Sequence, residues 1–286
     1  MKYLYFFVLL SFGLSSCVKN NPLPVWLEIN QWTLNSNPNS AMSPGALTHN
    51  FSDVWVYVDG KVIGVFEVPC KIPVLVSGNC KVQLFPAIRN NGLSVAKKIY
   101  PFAKAFETTL ELNPGETYTF NPVTSYEANT HFDIEDFESS SLTLEKETVN
   151  SSPNLNLQIP TNGPWGNYGY LSLNTTDSLW IGLLPELTLP KSGAEVYLEF
   201  DYKNTSSILT GMIERQVSGN TVDHGGYTAN KQSPDNLQWK KIYIDLKDVV
   251  SNTPNGIKYR QYLRMHLDAG LSSGEVSIDN IKVVHF

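Results

Sequence analysis

Residues 54 to 65, Val-Trp-Val-Tyr-Val-Asp-Gly-Lys-Val-Ile-Gly-Val, leave this chain little structural choice. Two runs rich in β-branched and aromatic side chains meet at Asp59-Gly60, a dipeptide that accepts the two positive φ angles of a type I′ turn, so they predict a tight hairpin. Period-2 alternation recurs along the chain. Val25, Leu27 and Ile29 alternate with Trp26, Glu28 and Asn30, and further strands are expected at residues 81 to 85, 106 to 112 and 116 to 120. Aromatic residues make up 12% of the chain and charged residues only 17%. Such a composition fits packed, strand-rich modules and not a disordered chain.

The N-terminus carries a different message. Lys2 precedes an apolar run from Tyr3 to Leu14 that is too short to span a bilayer and ends in Leu14-Ser15-Ser16-Cys17. This ending resembles the bacterial lipobox. The resemblance implies removal of residues 1 to 16, acylation of Cys17, a tether over residues 17 to 24, and lipid anchorage at the outer membrane. Surface lipoproteins of the Bacteroidota typically carry acids just after the cysteine, whereas here the first acid is Glu28. Periplasmic and surface-facing placements therefore both stay open.

The net charge of −6 resides in the second half. Residues 18 to 127 carry 8 basic and 8 acidic side chains, and residues 128 to 286 carry 12 and 19. With no basic stripe interleaved with aromatics, the acidic half argues against a nucleic-acid partner. Apart from Cys17, the cysteines are Cys70 and Cys80. An exported protein could bridge them. A hairpin pairing residues 71 to 76 with 80 to 85 would instead hold them about 20 Å apart, so a disulfide and two free thiols are both open.

Residues 121 to 130 read as a linker, which predicts two β-sandwich domains, at residues 25 to 127 and 128 to 286. The Val-Tyr-Val-Asp-Gly-Lys run and its downstream turn residues resemble PEGA-type, immunoglobulin-like envelope repeats. In the second half, Asp136-Phe137-Glu138 opens the module and Ile278-Asp279-Asn280-Ile281-Lys282-Val283 closes it, with strands at residues 197 to 202 and 239 to 246 between. These motifs in this order resemble a carbohydrate-binding-module jelly roll. The expected fold is therefore all-β, an immunoglobulin-like sandwich followed by a jelly roll.

Three groups of residues are candidates for a site. Asp133, Glu135, Asp136 and Glu138 crowd the first strand of the second half. The jelly-roll resemblance implies a structural Ca²⁺ held by Glu138 and Asp279 with Asp136 as a third ligand, against the alternative of a solvated acidic strand end. On the strand from residue 259 to 268, Arg260, Tyr262, Arg264 and His266 point opposite to Tyr259, Gln261, Leu263 and Met265. Trp239 and Tyr243 do the same on theirs, as do Tyr197, Glu199 and Asp201. If these faces share one concave sheet, rings would stack on sugars and polar groups would bond hydroxyls; otherwise they form an ordinary solvated face. Residues 163 to 170 set Trp165, Tyr168 and Tyr170 among glycines, a stacking platform at a sandwich rim or a cover for the core edge.

No residue spacing builds an active site. The five histidines lack zinc-ligand spacing, and neither a nucleophile elbow nor a phosphate loop occurs. Jelly-roll polysaccharide lyases use Arg, His, Tyr and Gln on one face, a chemistry that Arg260, Gln261, Arg264 and His266 offer. Adjacent strand residues point oppositely, however, so Gln261 cannot share a face with Arg260. The expectation is a non-catalytic envelope lipoprotein that binds polysaccharide, with a structural or assembly role through envelope-protein partners as the alternative and a polysaccharide lyase as the second.

Overall fold

A computed structural model describes residues 22–286; the segment read as a signal peptide, with Cys17, lies outside the described residues. Almost every ordered element is a strand. The hairpin Asp53–Val58/Lys61–Glu67 forms as its sequence requires, with Asp59 and Gly60 at φ 50° and 73°. Gly78–Arg89 pairs with its free edge, and Lys97–Ile99 and Phe106–Leu112 complete that sheet. Facing it, Val25–Ile29 is flanked by Cys70–Val74 running antiparallel and Thr117–Phe120 running parallel. Val25, Leu27 and Ile29 share one core with Val54, Val56, Val82 and Leu84, so the two sheets form a sandwich.

The expected hairpin of residues 71 to 76 with 80 to 85 does not form. Ile72 and Val74 bury against the sheet of Val25–Ile29, whereas Val82 and Leu84 bury from the opposite sheet. The chain crosses between sheets at residues 75 to 77, because each strand gains more apolar contact across the core than beside its neighbour in sequence. Cys70 lies opposite Ile29 and Cys80 opposite Leu110, and both thiols are free.

Residues 128 to 286 build a second sandwich. One sheet runs His131–Glu135, Ser273–His285, Val196–Asn204, Lys240–Asp245, with Gly169–Asn174 also on Ser273–His285. This sheet lies against the first half and is termed the near sheet. The far sheet runs Glu145–Lys146, Leu179–Leu187, Gly256–His266, Ile208–Gln216, Thr221–Asp223. Leu198, Phe200, Ile244 and Ile278 from one sheet and Trp180, Met212, Leu263 and Met265 from the other fill the space between. A bulge interrupts the near sheet: three steps from Asp279 to Lys282 match two from Asp201 to Glu199. Asn280 absorbs the extra residue at φ 49°, so Asp279 and Lys282 both leave by the outer face.

That outer face is covered. Phe51, Tyr100 and Phe102 of the first half pack on Tyr197, Tyr243 and Val284, with Tyr100 and Tyr243 ring centroids 5.3 Å apart. Beneath the rings lies a polar layer. Lys241 Nζ stands 3.3 Å from Glu199 Oε2, Tyr100 donates its hydroxyl to Glu199, and the Thr48 hydroxyl donates to Asp201 at 2.6 Å. Lys282 donates to the carbonyls of Pro44 and Ala46, and its burial pushes the ammonium down to about 8. Burial and the Glu199 charge hold the Tyr100 phenol well above its ordinary range.

The segment read as a linker belongs to this construction. Val123–Ser125 pairs in parallel with Thr33–Asn35, and Phe120, Pro122, Thr124 and Tyr126 alternate inward. That period-2 burial ties residues 121 to 126 into the fold, which a free linker would not permit.

Candidate functional site

The first half leaves one end of the near sheet's outer face open. Across it runs a row set by the strand register, Tyr170 opposite Ser277 and Ser277 opposite Lys203. Trp239, just before Lys240–Asp245, lies beside this row, with Lys203 Nζ 5.7 Å from its ring centroid. The loop carrying Trp165 and Tyr168 folds onto it. Both rings meet Trp239 edge-on at 5.5 Å, with interplanar angles of 72° and 90°. Trp165 is 40% exposed, and Tyr168 and Trp239 are half-buried. Gly166, at φ +114°, is what brings the loop so close: a Cβ there would run into the Glu138 carboxylate, which accepts from the Asn167 amide. The next row, Ser172, Glu275 and Thr205, walls a cavity of about 540 Å³ that Lys231 and Leu237 also line.

Two of the sequence candidates are relocated. Tyr243, expected on an open face with Trp239, is 2% exposed. Its ring packs on Phe51 and Tyr100, and its hydroxyl accepts from the Asn50 amide at 2.8 Å. No ligand reaches it, because the first half occupies the face. The strand of Arg260 and the strand of Trp239 also do not share a sheet; they belong to the far and near sheets respectively. Trp239 instead joins the rim residues Trp165 and Tyr168. Lys203 was not among the sequence candidates, although it continues the alternation of Tyr197, Glu199 and Asp201.

On the far sheet, Arg260, Tyr262, Arg264 and His266 do share an outward face, opposite buried Gln261. Gln261 is therefore split from the others as the alternation requires. Arg260 is engaged by the Leu184 carbonyl at 2.6 Å and Glu145 at 2.8 Å, while His266 faces Asp268 at 3.4 Å. Tyr262 lies over Gly211 with its hydroxyl donating to Asp223 at 3.2 Å. Together with the exposed Arg264 it lines a second cavity of about 510 Å³.

The acids of the second half have separate tasks. Glu135 is buried and accepts from the amides of Phe137 and Leu144, which holds the chain after the first strand. Asp136 accepts from the Glu138 amide at 3.2 Å. Asp279 is 1% exposed; one oxygen accepts from the Asn280 amide and Oδ2 has no partner. Burial, with like charge from Asp201, Glu138 and Asp136, pushes its carboxyl up to about 7. An orphaned carboxylate oxygen among acids is donor chemistry that suits a hard cation. The oxygens of Asp136, Glu138 and Asp279 do not, however, all converge within 4.8 Å, as the ligand atoms of His131, Asp133 and His285 do.

No protein-family model and no curated protein matches the sequence. Solved structures similar to the chain include carbohydrate-binding modules and, at 14% identity over 56% of this chain and 20% of its own with a TM-score of 0.33, the enzymatically active domain of the tailspike protein 4 of bacteriophage CBA120. The family 11 module of the cellulosomal cellulase Lic26A-Cel5E of Clostridium thermocellum is 18% identical over 55% of this chain and 95% of its own, at a TM-score of 0.35. A module described among promiscuous binders of the β-sandwich superfamily is 15% identical over 81% of this chain and 84% of its own, at 0.38. A xylan-binding family 22 module of Paenibacillus barcinonensis Xyn10C is 11% identical over 54% and 92%, at 0.37.

Proposed function

We propose that this protein is a non-catalytic glycan-binding protein of the cell envelope, whose second half holds a polysaccharide on the open end of the near sheet. The supporting observation is the meeting of Trp165, Tyr168 and Trp239 at 5.5 Å with Trp165 exposed. Rings presented at a surface offer apolar faces to the axial C–H groups of sugars. Lys203 and Tyr170 extend this platform toward the cavity of Ser172, Glu275 and Lys231, whose polar groups suit hydroxyls. Ca²⁺ would be held by Asp279 with Asp136 and Glu138 only once their oxygens, which stand apart, draw in around it, and it would then neutralise the acids behind the loop of Gly166.

Retention of the full chain on polysaccharide affinity gels tests the reading, and Trp165→Ala should lose that retention. A second reading places the chain of sugars in the far-sheet cavity, because Arg264 there is exposed and Tyr262 packs against Gly211 beside it. Loss of retention by Arg264→Ala but not by Trp165→Ala would select it. No retention on any envelope, host or plant polysaccharide would favour an assembly role with partner proteins.

Anchorage at the outer membrane through acylated Cys17 belongs to the same proposal. Among the described residues no helix is long and apolar enough to cross a membrane. Cys17→Ser should release the protein from the membrane fraction; unchanged pelleting would argue for another means of attachment.

A further inference from the structure

The first and last strands of the second half bring His131 and His285 directly opposite each other. Their rings stack at 4.7 Å with an interplanar angle of 25°, and both Nε2 atoms lie within 4.0 Å of Asp133, two residues along the first strand. Asp133 Oδ2 lies 3.8 Å from His285 Nε2 and 4.0 Å from His131 Nε2. These separations exceed hydrogen-bond lengths. The three ligand atoms lie within 4.8 Å of one another, with Asp133 at ion-pair distance from both rings.

We propose that His131, Asp133 and His285 form a binding site for a divalent first-row transition cation, with zinc as the reference ion. Zinc bonds to imidazole nitrogen and carboxylate oxygen set ligand separations of about 3.3 Å in a tetrahedron, so the Asp133 gaps of 3.8 and 4.0 Å need to close by about 0.5 to 0.7 Å, and the His131 ring must turn out of the stack to aim its Nε2 at the same ion. His131 and Asp133 are accessible enough to make that adjustment, while His285 is largely buried and supplies the fixed member. The outer shell of His285 is already in place. Its Nδ1 lies 3.0 Å from the Phe286 carbonyl oxygen, to which Nδ1–H donates, leaving the Nε2 lone pair for a metal. Two imidazoles with one carboxylate select zinc, copper or nickel over calcium, which takes oxygen ligands. Three protein ligands at an accessible position leave a fourth for water. Bound there, the ion would clip the opening strand of the second half to its closing strand.

Titration of the full chain with ZnCl₂ by calorimetry and thermal melting, in excess CaCl₂ to occupy any all-oxygen site, tests the proposal. The expected result is one saturable zinc per chain, a raised melting temperature, and affinity lowered roughly tenfold or more by His131→Asn or Asp133→Asn. Cys70→Ser should bind as the parent does. Both ligand variants alter accessible side chains, so an unchanged far-UV spectrum establishes that they fold. No saturable zinc uptake by the parent, or parental affinity in both folded variants, would overturn the proposal.

Discussion

Asp201 and Asp279 face each other directly across neighbouring strands, and both are buried. Like charges so placed repel. Asp201 is compensated, with the Thr48 hydroxyl at 2.6 Å and Lys241 Nζ at 3.9 Å, whereas Asp279 keeps one oxygen unpartnered. The asymmetry makes Asp279 the group that a hard cation would relieve.

Calcium that binds the folded chain alone should therefore stabilise it, by about 2.7 kcal/mol at a hundredfold excess over Kd. A chelator should lower the melting temperature, and Asp279→Asn should erase that sensitivity without destabilising the chelated protein. Identical melts with and without chelator would leave Asp279 as a buried acid with no metal role.

Two tryptophans separate binding from folding. Trp165→Ala removes an exposed ring and should cost about 1 kcal/mol of stability while weakening glycan binding by about 2 kcal/mol. Trp180→Ala empties a core position and should cost about 3 to 5 kcal/mol of stability. Urea denaturation paired with affinity electrophoresis distinguishes them. A Trp165 variant as unstable as the Trp180 variant would show that its ring is a structural cover.

The halves share one aromatic core and one buried charge layer, so they should unfold together. Calorimetry of the full chain is expected to show a single transition, and two resolved transitions would refute the coupling. Lys241→Met, which strands Glu199 and Asp201 without their cation, should lower stability by about 3 to 5 kcal/mol.

Lys282 predicts a pH dependence with a definite sign. Folded, it loses its proton near 8; unfolded, near the ordinary lysine value of 10.5. Between those values the unfolded chain binds more protons, so this group's contribution to stability rises with pH, by up to about 3 kcal/mol. The buried phenols of Tyr100, Tyr126 and Tyr243, raised by burial, act oppositely above pH 10 because the unfolded chain ionises first. Comparing wild type with Lys282→Met in urea at pH 8 and pH 10 isolates the lysine. A constant difference between the two proteins would contradict the assignment.

What the sequence alone determined was local. The Asp59-Gly60 hairpin, the strand Phe106–Leu112 and the opposed faces of the strands through Tyr197, Tyr243 and Tyr262 all follow from turn chemistry and a period of two. For Trp165 and Tyr168 the surrounding glycines left two readings open, a stacking platform or a cover for the core edge. Tertiary structure decided which faces met. It sent Cys70–Val74 across the core, buried Tyr243 under Phe51, parted the Arg260 strand from the Trp239 strand, and joined Trp239 to Trp165 and His131 to His285. Alternation along a strand dictates which of its own side chains point together. Which strand lies beside it, and what then covers the shared face, depends on apolar burial between segments far apart in the chain, which no local pattern encodes.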